Sequence, residues 1–382
     1  MKFIIILSTL LAVNLTWANN LSYFKNTYEE ADAHFNQIFN QVRSQFAKAE
    51  VFQFLYNQGN IKSYFLSPSE KSETILVFIS GTHGIEAHTG SAVQRYLLEN
   101  KLKPQNTSYL LIHGFNLWGF KNGRRVNENN VDLNRAFILN RSQFKSDDTG
   151  YAALNGFLNP QSQAKFGLFS HASFITNALY QLSQNSIEVL RNAILKGQYS
   201  YPKGVFYGGN MAQEQELMLE QLVVRYFAPF KKVVLIDLHT GYGERGRLHL
   251  LAGPENDSNS VKLKKLFGEG KVDFADKEKF YAVQGEMITF FGTKIYEKTK
   301  ADITGITFEY GTLDSQKTLG SIESLRRIVL ENQNFHFPAS NEDSDSIKNI
   351  YREMFYPSDE TWRKNVLEQT DVKLSELLKN LN

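Results

Sequence analysis

Four short apolar runs, separated by amphipathic stretches, constrain the fold of this chain more than any other feature of its sequence. They are Thr74–Ile79, Ser108–His113, Lys232–Leu238 and Ile303–Phe308. The last two runs are rich in β-branched residues and bounded by turn formers, which is typical of buried strands. A helical pattern over Thr89–Glu99 separates the first two runs, as in a β-α-β unit. The sequence therefore predicts an α/β fold of three layers, with helices on both faces of a mostly parallel mixed sheet.

The remainder of the chain predicts a single domain. No internal repeat and no long linker requires a boundary, although 382 residues would suffice for two domains. Helical periodicity covers about Leu21–Glu50 at one end and about Ser346–Leu381 at the other, where we expect surface helices. A further helix is predicted from about Ala172 to Leu195, between two polar loops that contain glycine. We therefore expect one domain over residues 19–382.

The first 18 residues have the features of a secretory signal. Lys2 precedes an apolar run from Phe3 to Val13, and small residues precede a candidate cut before Asn19. The run is shorter than the roughly 20 apolar residues of a membrane-spanning helix, and no second candidate span follows. We therefore predict a signal peptide over residues 1–18, a secreted or periplasmic mature protein, and no stable membrane insertion after cleavage.

Composition excludes several classes of function. The 42 basic and 40 acidic side chains give a net charge of +2, and no dense basic stripe is present, so nucleic acid is not an expected partner. The chain has no cysteine, so a metal site must use histidine, aspartate or glutamate. Neither a G-x-S-x-G elbow nor a Walker motif occurs, which argues against a serine hydrolase and a nucleotide-binding protein.

Candidate metal ligands follow two of the four runs. His83 and Glu86 lie in the glycine-bounded loop GTHGIEAHTG, and His239 follows the third run directly. Taken singly, each is more commonly a surface pair or a strand-end imidazole. Because ligands gather at the carboxyl ends of parallel strands, we expect the three side chains at one sheet edge. Two histidines and a glutamate leave one tetrahedral zinc position open, as in catalytic sites, and Asp237 is a candidate partner for a ligating imidazole.

The other two runs also end in polar residues. Glu309 ends the fourth run, where a buried carboxylate either pairs with an arginine or acts beside a cation, taking a proton from water. The segment Gly123–Phe137, after the second run, concentrates planar donors that either clamp an anionic substrate or form a solvated basic loop. These donors are Arg124, Arg125, Asn127, Asn129, Asn130, Asn134 and Arg135. Polar groups at four strand ends favour a functional site.

The motifs HGIE, RVNENNVDLNR, LHT and FEYG, in this order between Thr74 and Thr312, resemble the zinc carboxypeptidase superfamily. This superfamily includes succinylglutamate desuccinylases and aspartoacylases, and the chain is most similar to a bacterial branch of unassigned substrate. The resemblance implies a zinc-carboxypeptidase-like fold. It also implies that one Zn²⁺ ion is held by His83, Glu86 and His239.

The same resemblance implies roles for four further residues. Glu309 would be the catalytic carboxylate, Arg125 would polarise the oxyanion, and Asn134 and Arg135 would hold the terminal carboxylate of the substrate. The implied reaction is zinc-dependent hydrolysis of a peptide or amide bond next to a free carboxylate, with Glu309 as general base and then general acid. Two alternatives are an N-acyl amino acid amidohydrolase of the aspartoacylase type and a non-catalytic peptide-binding protein. The expected partner is thus a peptide or an N-acyl amino acid.

The chain departs from the family pattern at three points. Ala136 stands where the family often has a second asparagine. The long separation of Arg135 and His239 implies an enlarged insertion at about residues 140–230, which would reshape the substrate entrance. No tyrosine matches the phenol that many carboxypeptidases place before the catalytic glutamate, and Tyr281 is one of several candidates.

Overall fold

The computed structural model describes residues 20–57, 59–68, 71–145, 148–184, 196–255, 258–275 and 284–381. The predicted signal peptide, Tyr281 and residues 185–195 of the predicted insertion helix lie outside these ranges. None of the helices within them is long and apolar enough to cross a membrane.

One mixed sheet of eight strands forms the centre of the described part of the chain. The strands are β1 (Lys48–Tyr56), β2 (Gly59–Ser67), β3 (Thr74–Ser80), β4 (Thr107–His113), β5 (Lys232–Gly241), β6 (Leu248–Pro254), β7 (Asp273–Ala275) and β8 (Asp302–Gly311). Their order is β1-β2-β4-β3-β5-β8-β6-β7. The four central strands β4, β3, β5 and β8 are parallel, and β2 and β6 flank them in the antiparallel sense. All four predicted strands are therefore confirmed, and they are neighbours.

Helices cover both faces of this sheet. They are α1 (Tyr28–Val42), α2 (Ala87–Asn100), α3 (Leu117–Asn122), α4 (Thr149–Leu158), α5 (Leu168–Gln184), α6 (Glu214–Tyr226), α7 (Ser258–Phe267), α8 (Met287–Thr299), α9 (Thr318–His336), α10 (Asn341–Phe355) and α11 (Glu360–Leu381). Alternate side chains of β3 point to opposite faces. Leu76 and Phe78 join a core cluster with α1, α2, α7 and α11, whereas Ile75 and Val77 join one with α6 and α8. The predicted three-layer α/β fold is confirmed.

The sequence-based boundaries fail at the N-terminal helix. The helix predicted over about Leu21–Glu50 ends at Val42, and β1 begins at Lys48. Residues from Lys48 onward pair with β2 at the edge of the sheet, and this long-range pairing overrides the local helical pattern. The predicted C-terminal helices are present as α10 and α11, and buried Trp362 anchors α11 to the core.

A close backbone contact fixes the loop that follows β3. A Cβ atom at Gly84 would lie 2.3 Å from the backbone of Gly119 in α3, so only glycine fits. The amides of Gly84 and Ile85 donate to the carbonyls of Arg125 and Arg124. The short 3₁₀ turn Gly84–Glu86 is thereby joined to the segment after α3. The fold thus brings two separate polar loops to the same sheet edge.

Candidate metal and active site

The structure brings His83, Glu86 and His239 together at the carboxyl edge of β3 and β5. His83 Nδ1 lies 3.1 Å from His239 Nδ1 and 2.8 Å from Glu86 Oε1, and His239 Nδ1 lies 3.0 Å from Glu86 Oε2. Ligand atoms placed about 2.0–2.1 Å from a tetrahedral zinc ion lie roughly 3.3 Å apart. The three donor atoms therefore form a triangle of suitable size. Among the described residues this is the one such group that could hold a metal ion.

Two aspartates orient the imidazole rings from the opposite side. His83 Nε2 lies 3.1 Å from Asp132 Oδ1, and His239 Nε2 lies 2.7 Å from Asp237 Oδ2. Thr82 Oγ1 donates to both oxygens of Asp237, at 2.9 and 3.0 Å. A carboxylate that accepts a hydrogen bond from Nε2–H keeps the ring proton on Nε2 and leaves the Nδ1 lone pair for a metal. The contact predicted for Asp237 is present, whereas the role of Asp132 was missed.

The carboxylates of this cluster are buried yet favour the ionised form. Burial raises the pKa of Glu86, but the charge of His83 and hydrogen bonds from both histidines hold it well below its usual range. Burial likewise opposes ionisation of Asp132, and the charges of Arg125 and His83 outweigh it, so its pKa is also well below the usual range. Both anions therefore suit a site that binds a cation.

Arg125 borders the cluster from the loop after α3. Its Nε donates to Asp132 Oδ2 at 3.0 Å, and one terminal nitrogen donates to Glu86 Oε1 at 3.3 Å. The pKa of Arg125 is raised: burial opposes its charge, but Asp132 and Glu86 favour it. About 15% of the side chain is exposed, so the guanidinium lies at the surface of the site and retains free donors for a ligand.

Glu309 lies beside His239, at paired positions of β8 and β5. Its Oε1 accepts a hydrogen bond from Tyr242 N at 2.8 Å. No arginine or lysine within the described ranges forms an ion pair with Glu309. The alternative that this carboxylate pairs with an arginine is therefore wrong. Burial and then the charge of Glu86 raise the pKa of Glu309 to about 8. A buried carboxylate that holds its proton this strongly is suited to proton transfer near neutral pH.

Asn134 and Arg135 lie on the 3₁₀ turn Leu133–Arg135 next to Asp132, which caps it. Asn134 Oδ1 accepts from Met287 N at 3.1 Å, so its amide NH₂ remains available as a donor. Arg135 is only 5% exposed, and one of its terminal nitrogens donates to the carbonyl of Asn134. Its Nε finds no partner in the described part of the chain, and burial lowers its pKa.

Three other polar residues of the segment Gly123–Phe137 form bonds within the fold. Arg124 pairs with Glu331 at 2.8 Å and lies 3.7 Å from the centre of the Phe335 ring. Asn127 and Asn130 bond to Gln213 and to the carbonyls of Pro202 and Gly204. Asn129 is exposed, and Arg125, Asn134 and Arg135 remain the candidates for binding an anion at the site. Local sequence could not make this distinction, since Glu331 is distant in the chain.

A family model described as "Protein of unknown function (DUF2817)" matches residues 24–369. The chain belongs to this family. A search of curated proteins finds no match to this DUF2817 sequence.

A search of solved structures matches this chain to the following three, among others. Carboxypeptidase A from Helicoverpa armigera is 13% identical over 84% of this chain and 76% of that one, with a TM-score of 0.42. Bovine thrombin-activatable fibrinolysis inhibitor is 11% identical over 81% and 96%, with a TM-score of 0.43. Succinylglutamate desuccinylase from Chromobacterium violaceum is 13% identical over 78% and 76%, with a TM-score of 0.34. At these identities and TM-scores, the side chains themselves must decide the chemistry.

Zinc binding should depend on the two histidines and their outer partners. We expect the full chain to bind one zinc ion and His239→Ala to abolish this binding, whereas Asp132→Asn should weaken it by about 10–100-fold. Zinc should also raise the melting temperature of the wild type. Isothermal titration calorimetry and metal analysis measure both effects. His113→Ala, a buried histidine bonded to Ser91, is the control; zinc binding by His239→Ala at wild-type affinity would contradict the site.

The raised pKa of Glu309 predicts a pH-dependent stability of the zinc-free protein. Between the ordinary glutamate pKa of 4.5 and the folded-state pKa of about 8, the folded state binds more protons than the unfolded state. The free energy of unfolding therefore falls as pH rises through this window. Glu309→Gln should remove this loss. The unfolding free energy of the variant minus that of the wild type should therefore increase by on the order of 2–4 kcal/mol from pH 4.5 to pH 8. Chemical denaturation across this range measures the difference, and a constant difference would be the contrary result.

Proposed function

We propose that this protein is a zinc-dependent hydrolase that cleaves a peptide or amide bond next to a free carboxylate. The burial of Arg135 without an ion pair is the observation that supports a substrate with a free carboxylate. Its guanidinium is buried, and no carboxylate of the described residues lies within ion-pair distance of it. Asp132 and Glu286 favour its charge without forming an ion pair with it, and burial outweighs them, so a bound substrate carboxylate would supply a direct partner. Asn134, on the same turn, offers its amide NH₂ to the same group.

The metal site supports the hydrolytic part of the proposal. Zinc held by His83, Glu86 and His239 would act as a Lewis acid that lowers the pKa of a water molecule. Glu309 accepts a proton from the attacking water and donates it to the leaving nitrogen. Arg125 donates to the oxyanion that develops on the scissile carbonyl, and its bonds to Asp132 and Glu86 fix its direction beforehand.

The same residues also fit the second candidate, an N-acyl amino acid amidohydrolase, because that substrate too carries a free carboxylate beside its amide bond. A non-catalytic binding protein is disfavoured by Glu309, whose burial is costly and which binding alone does not require. The two enzymatic candidates differ in what precedes the scissile bond. A secreted or periplasmic location, as the N-terminal sequence predicts, would give access to extracytoplasmic peptides.

A library of peptides and N-acyl amino acids, analysed by mass spectrometry, tests the function. Glu309→Gln should retain zinc and the bond from Tyr242 N but lose about 10²–10⁴-fold in kcat. Glu323→Gln, at a glutamate that pairs with Arg326 and Arg327 and is not one of the proposed metal ligands, is the control and should keep wild-type kcat. Zinc-loaded protein that binds peptides and cleaves none would favour the binding protein, and full activity of Glu309→Gln would refute its role.

Recognition of the carboxylate should depend on Arg135. For a substrate with a free C-terminus, Arg135→Met should raise KM by roughly two orders of magnitude, because the carboxylate loses its buried partner. Arg135→Lys should give an intermediate KM, since it keeps the charge but not the planar donors. The C-terminally amidated substrate should be cleaved poorly by all forms. Arg141→Met, at an exposed arginine paired with Glu216, is the control; an unchanged KM in Arg135→Met would place the carboxylate elsewhere.

A further inference from the structure

The turn that follows β5 delivers the backbone group that contacts Glu309. Tyr242 N donates to Glu309 Oε1 at 2.8 Å, and this is the one hydrogen bond to that carboxylate among the described residues. The next residue, Gly243, has φ = +115°, which only glycine adopts readily. A turn with such backbone freedom does not fix the direction of the Tyr242 amide by itself. The direction depends on what anchors the turn.

His249 on β6 is one of two side chains that anchor it. Glu244 N donates to His249 Nε2 at 3.1 Å, and Gly243 N donates to Ser315 Oγ at 2.8 Å. A Cβ atom on Gly243 would lie 2.4 Å from His249 Cδ2, so the imidazole ring packs directly against the turn. The amides of the two residues after Tyr242 are thus both held in place.

The bonds of His249 define its tautomer. Because Nε2 accepts from a backbone amide, it carries no proton, and Nδ1 carries the proton of the neutral ring. Nδ1 lies 3.0 Å from Asp273 Oδ2 on β7, to which it donates. The side chain of His249 is 1% exposed. His249 on β6 lies directly opposite Glu309 on the antiparallel strand β8. A chain of contacts therefore runs from Asp273 through His249 and the turn to the carboxylate.

We propose that His249 is a positioning residue for Glu309. It holds the Tyr242–Glu244 turn so that the Tyr242 amide fixes one carboxylate oxygen, and the other oxygen is left to face the metal site. This role rests on the proposed function, since it matters for catalysis only if Glu309 transfers a proton. The side chain of His249 bonds to Glu244 N and Asp273, and no bond joins it to His83, Glu86 or His239 in the described part of the chain. Its substitution should therefore act on kcat and leave zinc binding and KM unchanged.

Three variants of the zinc-loaded full chain separate this role from ordinary packing. His249→Gln retains an acceptor near the Nε2 position, His249→Asn retains one only near Nδ1, and His249→Leu retains neither. His113→Leu is the matched control, because His113 is equally buried and bonds to Ser91 Oγ through Nε2. Hydrogen exchange of the peptide that contains residues 241–246, melting temperature, and kcat and KM on a substrate found by the library are the readouts.

We expect His249→Leu and His249→Asn to exchange faster at residues 241–246 and to lose about tenfold or more in kcat, with KM within about twofold. His249→Gln should restore both. His113→Leu should lower the melting temperature without either effect. Unchanged exchange in His249→Leu, or a Gln variant as impaired as the Leu variant, would overturn the proposal. If the protein cleaves no substrate, the proposed function fails, whereas the exchange data still decide whether His249 holds the turn.

Discussion

The buried carboxylate of Glu86 is the group on which the rest of the site depends. It contacts His83 on its own loop and His239 on β5, and it accepts from Thr240 N at 2.9 Å. It also accepts from Arg125 on the loop after α3. A buried carboxylate needs several hydrogen-bond donors to replace its hydration, and the donors to Glu86 come from three separate segments of the chain. Satisfying one buried anion therefore assembles both the ligand set and the arginine beside it.

The central strands are the part of the fold, and their carboxyl ends the part of the site, that the sequence predicts. β3, β4 and β5 are buried on both faces, and β8 is buried on one face and half-buried on the other in its first half, so all four show as short, largely apolar runs in the sequence. Their parallel alignment places the residues that follow them at one edge, which is why His83 and His239 could be paired before any coordinates. β1, β2, β6 and β7 were not predicted: β1 and β2 mix polar with apolar residues, β6 ends in glycine and proline, and β7 has only three residues. A polar residue at this edge can bond to a metal ligand, as Asp132 does to His83, or bond within the fold, as Arg124 does to Glu331. The choice depends on partners that are distant in the chain.

The insertion contributes to the site from behind, a role that its sequence does not reveal. Tyr207 O accepts from Asp132 N, and Tyr199 Oη donates to the carbonyl of Arg135, each at 2.7 Å. A Cβ atom at Gly197 would lie 2.9 Å from the Arg135 side chain, so the backbone of this loop packs directly on it. The loop excludes water from Arg135 and supports the aspartate that orients His83. Residues 197–207 are therefore part of the site.

Two glutamates in one buried site acquire opposite protonation behaviour from their surroundings. Glu86 lies among imidazoles, a backbone amide and a guanidinium, which favour its ionised form. Burial and then the charge of Glu86 raise the pKa of Glu309 to about 8, although Tyr242 N donates to it, so it keeps its proton up to about pH 8 in the absence of metal. Glu86 must be ionised before a cation binds, and after burial its charge is the second cause of the raised basicity of Glu309. The ligand and the base are thus chemically coupled, and the environment decides which glutamate serves in which role.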